Sequence, residues 1–85
     1  MRDLESAEQA QLGLKYIEDA VVNLLTKHQD GMTVAQVADS LGLRTDLDPA
    51  HRDMIAAGVL ELLIRTGRIT WNDAKKRYVD NPDKL

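Results

Sequence analysis

Gly31-Met32-Thr33-Val34-Ala35-Gln36-Val37-Ala38-Asp39-Ser40-Leu41-Gly42-Leu43 is the stretch whose reading decides the fold. Thr33 followed three residues later by Gln36 has the form of a capping box, in which hydroxyl and amide side chains satisfy the orphan backbone N–H groups of a helix start. Met32 and Val37 stand at the two positions of a hydrophobic staple around that cap. Val34, Val37, Ala38 and Leu41 then fall on one helical face, and Gly42 stops the helix in the left-handed conformation it tolerates, with Leu43 placed for the apolar contact of a Schellman ending. The stretch predicts a helix of barely two turns.

Upstream, Ser6-Ala7-Glu8-Gln9 also has the capping-box form, so a first helix is expected from there to about Lys27 or His28. Ala10, Leu14, Ile17, Val21 and Leu24 recur at alternating four- and three-residue spacings and form its inward stripe. Gln29-Asp30-Gly31 ends it. Downstream, Arg44-Thr45-Asp46-Leu47 is a polar turn, and Asp48-Pro49 pairs a favoured N-cap with a favoured first-turn proline. A third helix is therefore expected over about 49–66, with Ile55, Val59, Leu62 and Leu63 inward and Gly67 at its end. Arg68, Ile69, Thr70 and Trp71 alternate, Asn72-Asp73-Ala74-Lys75-Lys76 carries turn chemistry, and Tyr78 and Val79 return as a second strand. Trp71 is expected to close the core over the first helix. The fold class is mainly α with a small β-hairpin, in the order α-α-α-β-β with room for a very short strand near Met32. One domain spans 1–79, and 80–85 is expected to be a frayed tail.

Composition limits what such a domain can do. Its 85 residues allow one core, and without cysteine neither a disulfide nor a thiolate metal site can reinforce it. No apolar run approaches the ~20 residues needed to cross a bilayer, and the N-terminus lacks a signal-peptide core, so a cytoplasmic location is the expectation. His28 and His51 lack the spacing of a zinc site, and Asp46, Asp48 and Asp53 lack the pattern of a calcium loop. There is no Gly-x-Ser-x-Gly elbow and no phosphate-binding glycine loop. The chain is accordingly read as a binding protein, not an enzyme, with no cofactor, metal or small-molecule substrate. Its net charge of −3 opposes a polyanionic partner, but the charges are unevenly placed. Residues 1–30 are acidic, whereas 65–77 carry Arg65, Arg68, Lys75, Lys76 and Arg77 against Asp73 alone.

The order of long helix, tight Gly-terminated helix, turn, longer helix and basic-tipped hairpin resembles the winged helix-turn-helix superfamily of bacterial and phage regulators. Gly31–Leu43 carries the resemblance, followed by Leu62-Leu63-Ile64-Arg65-Thr66-Gly67-Arg68-Ile69 at the entry to the wing, and it covers about residues 8–79. It implies binding to double-stranded DNA, as a small transcriptional regulator or the DNA-targeting part of a larger system. In that superfamily the third helix enters the major groove and the wing lies over phosphates. The implied DNA contacts are Arg44, Thr45, His51 and Arg52 around the start of the third helix, and Lys75, Lys76 and Arg77 in the wing. Two features depart from the pattern. The turn from Leu43 to Pro49 exceeds the usual three or four residues, and Ala57, Leu60 and Ile64 fall opposite Ile55 and Val59 at 100° per residue. An apolar outer face points to a partner, so these three residues are the expected interface for a homodimer or a protein partner. Burial under the N-terminal segment, including Leu4, is the alternative. A protein-interaction adaptor is thus the competing reading of function.

Overall fold

A computed structural model of the chain describes residues 3–46, 48 and 50–83. Its elements follow the order α1 (Leu4–Lys27), α2 (Val34–Leu41), α3 (Met54–Arg65), β1 (Ile69–Asn72) and β2 (Arg77–Asp80). Three helices and a two-stranded antiparallel hairpin make the fold mainly helical, as the sequence predicts.

The local signals around α2 act as expected. The Gln36 backbone N–H donates to Thr33 Oγ1 at 3.2 Å, and the Thr33 N–H donates to Gln36 Oε1 at 3.0 Å, which closes the capping box. Gly42 adopts φ 68°, and the Leu43 N–H donates to the Ala38 carbonyl at 2.8 Å, the long bond of a Schellman ending. Gly67 repeats this at the end of α3 with φ 76°, the Arg68 N–H reaching the Leu63 carbonyl at 3.0 Å.

Both other helix starts differ from expectation. α1 is capped three residues before Ser6, because Asp3 offers a competing cap: its carboxylate accepts from the Ser6 N–H at 3.2 Å and from Ser6 Oγ at 3.0 Å. These bonds, the backbone one foremost, hold the Asp3 carboxyl below its ordinary pKa. α3 begins at Met54, with Asp53 as N-cap and residues 50–53 in turns. Thr45 ties the turn back on itself: its N–H donates to the Arg52 carbonyl at 2.9 Å, and its hydroxyl reaches the carbonyls of His51 at 3.1 Å and Arg52 at 3.3 Å. Pro49, expected in the first turn of α3, lies outside the described residues, as do Leu47 of the turn and Lys84 and Leu85 of the tail.

The core joins Val21, Val22 and Leu25 of α1, Met32, Val37 and Ala38 around α2, Ala56, Val59, Leu60 and Leu63 of α3, and Ile69. α3 is turned by about 65° from the predicted orientation. Leu60, expected outside, is 0% exposed, while Ile55, expected inside, is 43% exposed. Ala56 marks the difference. It is 0% exposed and lies in the core with Val59, Leu60 and Leu63, so the buried face is centred between Val59 and Leu60 and not on Ile55 and Leu62.

In the hairpin, Ile69 pairs with Asp80, Trp71 with Tyr78 and Asn72 with Arg77. Asn72 Oδ1 accepts from the Lys75 N–H at 3.0 Å, a side-chain mimic of a turn, and Lys76 takes φ 56°. β2 runs one residue past 79. Asp80 lies in β2, and Asn81 Nδ2 donates to the Gly67 carbonyl at 2.7 Å. The short strand expected near Met32 appears as one antiparallel bridge: Met32 and Tyr78 exchange both backbone hydrogen bonds, at 2.9 and 2.8 Å. Gly31 makes this approach possible. It adopts φ 90°, and a Cβ there would lie 2.8 Å from Val79 Cγ1 and 2.9 Å from Arg77 Cβ. Among the described residues no helix is long and apolar enough to cross a membrane.

Candidate nucleic-acid interface

The Met32–Tyr78 bridge fixes the hairpin to the segment entering α2, so the basic turn and the α2–α3 pair belong to one packed unit. Lys75 and Lys76 lie in the hairpin turn, exposed, and Arg77 opens β2, half-buried. Lys75 Nζ is 3.7 Å from Asp30, and Lys76 Nζ is 2.8 Å from Asp73. Arg77 forms no ion pair with any described residue.

The α2–α3 turn holds the other predicted contacts. Arg44 lies between two acids, 3.6 Å from Asp39 and 3.7 Å from Asp53. Asp53 Oδ1 is buried without a hydrogen bond, so the guanidinium supplies its charge compensation at ion-pair distance only. His51 Nδ1 is 2.7 Å from Asp48 Oδ1. Arg52 is half-buried and pairs with no described carboxylate. Thr45 spends its hydroxyl proton on the backbone of the turn, so its part is to shape the approach to α3. The turn thus brings Arg44, Thr45, His51 and Arg52 together at the α3 N-terminus, and the hairpin presents Lys75, Lys76 and Arg77 as a second group.

On α3 itself the exposed residues at the start are Met54 and Ile55, followed by Gly58 and the ion-paired Glu61 and Arg65, whose oxygen and nitrogen are 2.8 Å apart. Sequence reasoning missed Met54 and Ile55 as surface residues because it set the helix phase by hydrophobicity alone. The predicted partner face divides. Leu60 is in the core and presents nothing to a partner, whereas Ala57 is exposed and Ile64 half-buried. Ala57, Glu61 and Ile64 line a cleft of about 360 Å³ with Trp71 and Tyr78. Trp71 therefore faces α3, not α1. It is 44% exposed and meets Tyr78 edge to face, with ring centroids 4.8 Å apart.

A separate charge cluster ties the hairpin to α1. Arg68 lies 3.0 Å from Asp19 and 3.7 Å from Glu18, and Lys15 is 2.9 Å from Asp19. Hydrogen bonds from Lys15, then Arg68, hold the Asp19 carboxyl below its ordinary pKa. Comparison of the chain with protein-family models, curated proteins and solved structures returns no match.

Proposed function

We propose that the chain is a winged helix-turn-helix module that binds double-stranded DNA, as a small transcriptional regulator or the DNA-targeting part of a larger assembly. The observation that carries this reading is the basic hairpin turn, Lys75-Lys76-Arg77, held to the α2 entry by the Met32–Tyr78 bridge. In this docking mode α2 braces against the DNA backbone, the start of α3 enters the major groove and the hairpin lies over phosphates. Arg52 offers a fork suited to a guanine edge, Met54 and Ile55 suit thymine methyl groups, and Gly58 leaves room for close approach. The wing cations position without specifying. Their pairs with Asp30 and Asp73 involve exposed acids and are worth about 0–1 kcal/mol, so phosphate can replace those acids at small cost.

The test is fluorescence anisotropy of a labelled random-sequence duplex, titrated at low and near-physiological salt. Binding should weaken with salt by about 0.9 logarithmic units per phosphate neutralised. Replacing Lys75, Lys76 and Arg77 together by Ala should reduce that slope by about 2–3 and weaken binding to all sequences alike. An unchanged slope would refute the docking mode.

The cleft of Ala57, Ile64, Trp71 and Tyr78 favours a second reading, a protein-interaction adaptor that receives an apolar side chain there. No duplex binding even at low salt, together with a partner lost on Ala57→Arg, would select it.

A further inference from the structure

α1 has 24 residues, about 36 Å at the rise of an α-helix, yet its buried residues are Val21, Val22 and Leu25, all in its final turns. The links to Arg68 at Glu18 and Asp19 are the last ion pairs tying it to the body of the domain. N-terminal to them, the line of the core-facing stripe continues outward through Leu4, Ala7, Gln11 and Leu14. Leu4 is 71% exposed, and Glu8 and Lys15 join these residues along one shallow groove. Leu14 is half-buried against the edge of the core, whereas Leu4 and residues 8–13 are exposed along the helix beyond it.

We infer that this projecting half of α1 is a homodimer interface, on which α1 of a second copy of the chain packs antiparallel about a two-fold axis between residues 11 and 12. The charge pattern selects both the occupant and the direction. Glu8 and Lys15 are seven residues apart, two helical turns, and so lie on the same side of the stripe. Antiparallel alignment about that axis sets Glu8 of each copy against Lys15 of the other, giving two reciprocal opposite-charge contacts beside the apolar line. In a parallel two-fold pair this flank of one copy lies on the opposite side of the seam from the same flank of the other, so Glu8 and Lys15 would not meet. Glu8 forms no ion pair with a described residue, so its charge is available. Lys15 already holds Asp19 at 2.9 Å and extends along the same face. The antiparallel arrangement also carries the two domain bodies to opposite ends of the helix pair, whereas the parallel one drives them together. The surface is self-complementary, as a two-fold interface requires.

The test is sedimentation velocity of the full chain over a wide concentration series without DNA, so its outcome is independent of the DNA-binding reading. The unaltered chain should associate to a two-chain species. Glu8→Lys and Lys15→Glu should each weaken association by roughly tenfold, because two attractive contacts become repulsive at once. An equimolar mixture of these two variants should regain it through heterodimers, as should the double variant. Both positions are exposed, and circular dichroism should show every variant with unchanged helix content. A one-chain species at every concentration would overturn the inference, as would association that neither reversal alters or that the mixture fails to restore.

Discussion

Leu60 and Ile55 offer the sharpest test of how α3 is seated, because a hydrophobic pattern alone ranks them in the wrong order. Leu60 is 0% exposed and enclosed by the core, whereas Ile55 is 43% exposed. Truncating an enclosed leucine removes its transfer free energy and leaves a cavity, which together cost about 2–5 kcal/mol. Ile55→Ala leaves no enclosed cavity and loses part of one side chain's burial, about 1 kcal/mol or less. A domain of 85 residues has a total stability of about 4–13 kcal/mol, so Leu60→Ala removes a large share of it. At about 4–8 °C per kcal/mol, its melting temperature should fall by about 8 °C or more. The assay is urea unfolding followed by circular dichroism, with the dependence on denaturant compared to confirm that the denatured states match. A loss for Ile55→Ala equal to or above that for Leu60→Ala would refute the seating of α3 described here.

Gly31→Ala should destabilise the domain by about 2 kcal/mol or more, since the position combines φ 90° with a Cβ 2.8 Å from Val79 and 2.9 Å from Arg77; a thermal melt within a degree of the parent would contradict this. The Asp19 carboxyl is held below its ordinary pKa of 3.8, so its contribution is fully present above 3.8 and is lost as pH falls through the lowered folded value. Asp19→Asn should therefore show a shallower loss of stability on acidification, its curve converging with the parent's at the lowest pH; parallel curves would exclude the linkage.

Local chemistry was the legible part of the sequence. The Thr33–Gln36 box, the Gly42 and Gly67 endings and the Asn72 turn each depend on residues a few positions apart, and each forms as its pattern predicts. The start of α1 was ambiguous for the same reason: Asp3-x-x-Ser6 and Ser6-x-x-Gln9 are both adequate caps, and the longer helix prevailed. The phase of α3 was hidden because Met54, Ile55, Leu60, Leu62 and Ile64 are all apolar, so the pattern offers more than one inward face and tertiary packing decides between them. Partners distant in sequence were also out of reach. Arg68 with Asp19 and Lys75 with Asp30 join parts of the chain that no periodicity relates, and Trp71 faces α3 because its strand register places it beside Tyr78.

The acids beside the hairpin's lysines bear on the proposed DNA binding. Lys75 faces Asp30, whose side chain is 92% exposed, and Lys76 faces Asp73, at 82%. When phosphate takes either lysine, the displaced carboxylate stays within a Debye length of about 8–10 Å and repels the backbone that has arrived. A net charge of −3 adds no long-range attraction. Under the DNA-binding reading, a single copy is therefore held weakly, and two copies joined through α1 would gain by engaging one duplex together. The same electrostatics predict that removing acids should improve binding. Asp30→Asn with Asp73→Asn should tighten random duplex by about three- to tenfold at low salt, and the gain should fade toward high salt as screening grows. The stability cost should stay within about 1 kcal/mol, because both pairs are exposed. Anisotropy titrations at several salt concentrations read the effect. Unchanged or weakened affinity at low salt would mean that the duplex does not approach the hairpin turn, and with it the proposed docking of the wing would fall.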